Sequence, residues 1–174
     1  MKKGTWVKFN IKGEWHNGLV IKGGKQITVA FGHEGNKYRK VTASPVHFTE
    51  IPAVRLDESG IMDAYEIKAY KEAGGEETVR FEAKLYKNGK HIAMVSNGGY
   101  GACDDYHPVG KANWESIEQY YEDCKQWAIY YGKEKPFEPE SLWIEWVTTG
   151  KATGQSAKEY WNNYHQSMAK WTKK

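Results

Sequence analysis

The densest group of chemically capable residues lies in one loop past the middle of this 174-residue chain. Cys103, Asp104, Asp105 and His107 fall within five consecutive positions. Such a group could bind zinc, or could pair a thiol nucleophile with an imidazole base. A structural zinc site needs four ligands, however, and the sequence offers no second pair of cysteines. A nucleophile also needs a base that a third group orients, and the sequence assigns no such group.

The glycines before this group suggest a further kind of site. Gly98, Gly99 and Gly101 could present successive N–H groups to a phosphate, although the two aspartates that follow would repel an anion. The alternative is structural: the glycines form a tight corner, the aspartates cap local turns, and His107 packs near Pro108. The structural alternative is favoured for each residue alone. The loop at 96–113 as a whole is nevertheless the best candidate contact surface in this half of the chain.

Familiar catalytic fingerprints are missing from the sequence. Gly150 and Lys151 resemble the end of a phosphate-binding loop, but Glu145 stands where its first glycine should be. Ala152 stands where a serine or threonine should follow. No metalloprotease, nucleophile-elbow or dinucleotide-binding pattern is present. The sequence therefore favours a protein that is not an enzyme and that carries neither a cofactor nor a metal.

A second set of candidates combines aromatic rings with basic side chains. The chain has 8 Trp and 12 Tyr, which offer large contact areas at a low entropic cost. Residues 1–50 contain nine bases and three acids, a balance that favours nucleic acid, although lysines also protect strand edges from unwanted pairing. The candidate binding residues are Trp6, Trp15, Lys37, Tyr38, Arg39 and Lys40 here, and Tyr100, Asp104, Asp105, Tyr106 and His107 in the loop.

Short alternating runs separated by glycine-rich turns must position the first set. Their period of two predicts half-buried strands. The five runs cover 5–10, 15–22, 25–31, 37–42 and 47–51, with a tight turn at 43–46. This pattern resembles the SH3-like barrel family, including its Tudor-like members. The resemblance implies a five-stranded barrel whose rings at one end hold a peptide, a methylated side chain or nucleic acid.

The rest of the chain predicts a separate α+β domain. Pro52 and the polar stretch after it predict a linker at 53–61, between a barrel at 1–52 and a second domain at 62–174. Alternating apolar residues predict a three-stranded antiparallel sheet in that domain. Asn88-Gly89 is typical of a tight hairpin turn between its last two strands.

About three helices are expected to pack on this sheet. Asn113 caps the first helix and Gly132 ends it, a short helix covers 139–149, and a capping box from Ser156 to Glu159 opens the last. The apolar stripes expected to face the core are Trp114, Ile117, Tyr121, Cys124, Ala128 and Tyr131 on the first helix, and Ala157, Trp161, Tyr164, Met168 and Trp171 on the last.

The predicted sheet carries a second resemblance. Residues 81–90 read Phe-Glu-Ala-Lys-Leu-Tyr-Lys-Asn-Gly-Lys, and residues 93–102 read Ala-Met-Val-Ser-Asn-Gly-Gly-Tyr-Gly-Ala. Together they resemble small accessory proteins of tailed bacteriophages, with Ala102 in place of an expected glycine. A phage origin implies roles in takeover of the host, including inhibition of its antiviral defence.

Cysteine usage and hydropathy point to a cytoplasmic protein, in the host cell if a phage encodes it. Two cysteines are too few for a disulfide framework, so reduced thiols are expected. No apolar run approaches the length of a membrane span, and an alternating strand rather than an apolar signal segment follows Met1. We therefore expect no membrane partner.

The sequence favours a non-enzymatic binding protein whose partner is a nucleic acid or a nucleic-acid-bound host protein. One alternative is a small hydrolase or nucleotide-processing enzyme built on Asp104, Asp105 and His107. Another is a protein that sequesters a nucleotide between its rings. Neither the partner's identity nor the oligomeric state follows from the sequence.

Overall fold

A computed structural model describes residues 1–34, 37–110 and 114–171. Within these residues the chain is α+β, with two antiparallel sheets and three α-helices. It divides into two compact units: a first unit that joins Met1–Glu58 to the residues from Thr149 onward, and a second unit at Ser59–Thr148. These bounds differ from the predicted 1–52, 53–61 and 62–174, because the C-terminal segment groups with the N-terminal sheet.

The first unit contains a five-stranded sheet in the order β4-β3-β2-β1-β5. Its strands are β1 Trp6–Ile11, β2 Glu14–Lys22, β3 Ile27–Glu34, β4 Lys37–Ala43 and β5 Thr49–Glu50. The expected barrel is an open sheet here, since no ladder joins the edge strands β4 and β5 among the described residues. A short 3-10 turn at Pro45–His47 replaces the start of the last predicted strand and leaves β5 only two residues long.

One face of this sheet carries the apolar core of the first unit. Val7 and Phe9 of β1 point to this face, as their period-two spacing predicts. The ring of Phe9 packs edge-on against Phe31 at 5.1 Å and against Phe48 at 5.3 Å between centroids. Full burial of one such side chain contributes about 1.5–3 kcal/mol.

One residue on the opposite face of β2, Leu19, is also buried, which the sequence pattern did not predict. The spacing of Leu19 and Ile21 predicts that this pair faces the core, whereas Val20 faces it and Leu19 is buried on the other side. A Cβ atom placed on Gly154 would lie 3.3 Å from the Cβ of Leu19 and 3.1 Å from the ring of Trp6. The C-terminal segment therefore covers this part of the sheet, and the glycine permits its close approach.

The last helix, α3, spans Ala157–Trp171 and begins at the predicted capping box. The Ser156 N–H donates to a Glu159 carboxylate oxygen at 2.9 Å, and the Glu159 N–H donates to the Ser156 hydroxyl at 3.2 Å. Ala157 and Trp161 of the predicted stripe are buried, but Met168 is 42% exposed. Only the first half of that stripe is therefore core, and the side chain of Trp171 lies outside the described part.

The second unit contains a four-stranded sheet, one strand more than predicted, in the order β6-β7-β8-β9. Its strands are β6 Tyr65–Ala73, β7 Arg80–Lys87, β8 Lys90–Asn97 and β9 Asp105–Pro108. The additional strand β9 lies within the segment expected to be a loop. Asn88 and Gly89 have φ angles of 49° and 76°, which confirms the predicted tight turn.

Two helices complete the second unit, α1 at Trp114–Tyr130 and α2 at Pro139–Glu145, and a π turn at Trp146–Gly150 follows α2. The N–H of Gly132 donates to the carbonyl of Ile129 at 2.9 Å and ends α1 as predicted, whereas the predicted cap Asn113 lies outside the described residues. The buried residues of α1 are Ile117, Tyr120, Cys124, Trp127 and Ala128. No described helix is long and apolar enough to cross a lipid bilayer.

Candidate binding site

Four of the predicted binding side chains lie on the face of the five-stranded sheet opposite the core. In β1, Val7 faces the core, so Trp6 and Lys8 point the other way. Trp15 shares their face because it pairs with Asn10, and Asn10 lies between the core-facing residues Phe9 and Ile11 of β1. The same alternation around the core-packed Val41 places Tyr38 and Lys40 on this face.

Trp15 is the most exposed of these aromatic side chains. The indole is 65% exposed at the start of β2. The ammonium of Lys8 lies 5.0 Å from its ring centroid, within the range of a cation–π contact. The indole ring can stack against a planar group of a ligand, and the neighbouring ammonium can attract an anion attached to that group.

A second pair of the same kind lies on β4. The ammonium of Lys40 is 5.0 Å from the ring centroid of Tyr38, two residues earlier on the same face. We call Lys8, Trp15, Tyr38 and Lys40 the lysine–aromatic face. Lys8 was missing from the sequence-based candidates, although its period-two spacing from Trp6 could have indicated it.

Trp6 supports this face rather than extending it. Its side chain is half-buried, and its ring lies against Gly154 of the C-terminal segment. Trp6 also pairs with the buried Leu19 in the β1–β2 ladder. Of the two predicted tryptophans, only Trp15 therefore offers most of its ring to a ligand.

His33 fastens the C-terminal segment next to Tyr38. Its ring lies 5.8 Å from the ring of Tyr38, and its Nε2 lies 2.9 Å from the hydroxyl of Thr153. That hydroxyl donates to the carbonyl of Thr149 at 2.8 Å, so it accepts a hydrogen bond from His33. Burial lowers the pKa of His33 and outweighs the opposite effect of Glu159. The imidazole therefore stays neutral at neutral pH.

The other two predicted bases belong to the opposite side of β4. Arg39 pairs with the core residue Phe31, and its guanidinium lies 4.6 Å from the ring centroid of that phenylalanine. Lys37 has the same parity in the strand as Arg39. Both residues are exposed, but the strand directs them away from the lysine–aromatic face.

The loop before β9 is held in place by one buried amide, that of Asn97. Its oxygen accepts hydrogen bonds from the Gly99 N–H at 2.8 Å and from the Thr78 hydroxyl at 3.1 Å. Its nitrogen donates to the Ala102 carbonyl at 3.0 Å and to Asp104 Oδ1 at 2.9 Å. These bonds use the donors and acceptors of the side chain and support the structural alternative for the glycines.

The remaining loop candidates do not converge on one point. Tyr106 was placed on the contact surface by the sequence analysis, but it is only 8% exposed, because alternation along β9 directs it into the core. Asp105 and His107 flank it and face solvent, whereas Asp104 turns towards Asn97. Burial raises the pKa of Asp104.

Tyr100 is the loop candidate that offers the most surface. Its side chain is 67% exposed. Among the described residues no basic side chain lies over its ring, in contrast to Trp15 and Tyr38.

The thiol of Cys103 is held in the form that is poor for catalysis. Its sulfur donates to a carboxylate oxygen of Glu138 at 2.6 Å. This hydrogen bond and the negative charge of Glu138 raise the pKa of Cys103, which disfavours the reactive thiolate. Within residues 1–34, 37–110 and 114–171, no group of three or more His, Cys, Asp or Glu side chains is arranged to hold a metal ion.

Comparison of the chain with protein-family models, with curated proteins and with solved structures found no match.

Proposed function

We propose that this protein is a non-enzymatic binding protein that holds single-stranded nucleic acid on its lysine–aromatic face. The observation that carries the proposal is the exposed indole of Trp15 beside the ammonium of Lys8. Tyr38 and Lys40 repeat the same combination on β4.

The chemistry of this face matches an unpaired base with its phosphate. Stacking of a base on an aromatic side chain is worth about 1–3 kcal/mol and works with any base, because every base has a flat π-face. A neighbouring lysine contributes a charge that attracts the phosphate backbone. Bases inside a duplex are stacked on one another, so an exposed ring favours single strands.

Two further features support the wider setting of this proposal. The strand order β4-β3-β2-β1-β5, with a 3-10 turn before β5, supports a relation of the first unit to SH3-like barrels. The resemblance of residues 81–102 to small accessory proteins of tailed bacteriophages supports a role in phage takeover of a host, including inhibition of antiviral defence. In that setting the partner is host or phage nucleic acid, or a host protein bound to it.

Salt dependence of binding tests the proposal. We expect the affinity for a fluorescent oligothymidylate of about 16 nucleotides to fall steeply between about 50 and about 200 mM salt. Each phosphate contact on a single strand contributes about 0.7 to the slope of log affinity against log salt. Replacing both Lys8 and Lys40 by glutamine should therefore reduce the slope by about 1.4.

A matched control removes two lysines from the second unit. Lys84→Gln combined with Lys90→Gln makes the same change in net charge on a different sheet. We expect this variant to keep the slope of the parent protein. A flat salt response of the parent, or equal loss of slope in both double variants, would reject the lysine–aromatic face as the site.

A further inference from the structure

A second surface of the first unit is the exposed edge of β4. This strand pairs with β3 on one side and is an edge of the sheet on the other, among the described residues. Edge strands present N–H and C=O groups that can pair with another extended chain. Most proteins restrict such pairing with the side chains near the edge. The charge and polarity of those side chains therefore indicate which kind of chain the edge could accept.

A cavity of about 280 Å³ opens beside this edge. Its lining combines the polar residues Asn10 and His47 with five apolar ones, which are Phe9, Ile11, Val41, Ala43 and Phe48. Because the sheet does not close between β4 and β5, Ile11, Val41 and Ala43 are only partly buried at the gap, whereas Phe9 and Phe48 belong to the buried core. The cavity is large enough to accept a bulky apolar side chain.

The core-facing row of β4 changes character along the strand. Val41 pairs with Val29 and Ala43 pairs with Ile27, and both line the cavity. Arg39 and Lys37 continue the same row and are exposed. An extended chain lying along this edge would therefore meet two apolar residues and then two bases.

We propose that β4 binds an acidic, extended segment of a partner protein as an additional strand. Main-chain hydrogen bonds to the β4 edge supply affinity, and alternate side chains of the ligand supply specificity. One ligand side chain is apolar and enters the cavity. Acidic side chains two and four positions away face Arg39 and Lys37, because residues i, i+2 and i+4 of a strand share one face.

The charges around the edge select an acidic chain over a second copy of this protein. β4 contains Lys37, Arg39 and Lys40 but no acid. A second β4 at this edge would bring like charges together, which is unfavourable. The inference goes beyond the proposed function, since Tyr38 and Lys40 point to the other face of the strand.

Selection from an unbiased library of displayed peptides tests the proposal. Random peptides of about ten residues are long enough to pair along β4. We expect the enriched sequences to share an apolar residue with Asp or Glu two and four positions away. Failure to enrich any sequence, or enrichment of neutral or basic sequences, would overturn the proposal.

A charge reversal tests the preference for acidic side chains separately from main-chain pairing. Arg39→Glu changes an exposed side chain, and the same selection on this variant should lose the preference for an acid at one position. Lys84→Glu in the second unit is the control and should leave the preference unchanged. An unaltered acidic preference of the Arg39→Glu variant would overturn the proposed site.

Hydrogen exchange locates the bound peptide on the sheet. Binding of an enriched peptide should slow exchange of β4 backbone amides, because they gain main-chain partners. Protection confined to β1 and β2, or to the second unit, would contradict strand addition. Competition by oligothymidylate would show that the enriched peptides occupy the lysine–aromatic face, which would also contradict it.

Discussion

Among single residues, Trp15 has the clearest expected effect on binding. Trp15→Ala should reduce the affinity for oligothymidylate by about 5-fold to about 150-fold, corresponding to the loss of one base stack of about 1–3 kcal/mol. Stability should change little, because the indole is 65% exposed. Fluorescence polarisation and thermal melting measure the two quantities.

Trp114→Ala is the matched control for this substitution. Trp114 is 54% exposed at the start of α1, in the second unit. Its replacement should leave the affinity unchanged. Equal losses in the two variants would mean that exposed tryptophans bind the probe non-specifically.

Cys103 offers a test of the local electrostatics in the loop. Glu138→Ala removes the hydrogen-bond acceptor and the charge that raise the pKa of Cys103. The thiolate fraction at neutral pH should increase, and alkylation by iodoacetamide should become faster. Glu134→Ala removes an exposed acid nearby in sequence and should leave the rate unchanged. A slower or unchanged rate after Glu138→Ala would contradict the observed contact.

His33 predicts a pH dependence of stability. Its pKa is lowered by burial from the ordinary value of 6.5, so the unfolded chain binds the proton first as the pH falls. Stability linked to neutral His33 is therefore present above the unfolded-state pKa and is lost as the pH falls towards the folded-state pKa.

The His33→Gln variant isolates this contribution. Glutamine can still donate to Thr153 but does not titrate. Between about pH 7.5 and about pH 5.5, the urea midpoint should fall less in the variant than in the parent protein. Asp104 and Glu140 have raised pKa values and oppose this trend, but they do so equally in both proteins. Identical pH profiles would contradict the burial of His33.

At the scale of elements, two neighbouring glycines differ sharply in their surroundings. A Cβ atom on Gly75 would meet the Thr78 carbonyl and would lie 2.8 Å from the Cα of Gly99, whereas a Cβ on Gly74 meets nothing within 4 Å. Gly75→Ala should therefore destabilise the protein by about 1–3 kcal/mol, as overpacking against backbone does. Gly74→Ala should stay within about 0.5 kcal/mol. Urea unfolding compares them, and similar midpoints would refute the tight packing of this corner.

Local patterns predicted the elements whose cause is local. The alternation in β1 and β3, the Asn88-Gly89 turn and the capping box at Ser156 depend on residues close in sequence, and the structure confirms them. Strand β9 was not predicted, because Asp105–Pro108 is short and polar and is a strand only through pairing with β8. Trp114 was predicted to face the core as part of the apolar stripe of α1. That prediction is wrong, because Trp114 is 54% exposed.

At the scale of the whole molecule, the missing information was the return of the C-terminal segment to the first unit. Leu19 is buried on the face opposite Val20 because Gly154 packs there, and no local pattern encodes that contact. The candidate site could be predicted only in part, because its geometry also depends on contacts between residues that are distant in the sequence. Tyr38 and Lys40 could be assigned to one face from their alternation with Val41. The face of Trp15 depends on its pairing with Asn10, and the partial burial of Trp6 depends on the distant segment.

Ultraviolet cross-linking of the 174-residue chain to oligothymidylate, followed by mass spectrometry of the peptides, tests the central claim most directly. We predict cross-links in the peptides that contain Trp15 and Tyr38, on β2 and β4. Cross-links confined to the loop around Tyr100, or no cross-link in a sample shown to bind the probe, would contradict the assignment of binding to the lysine–aromatic face.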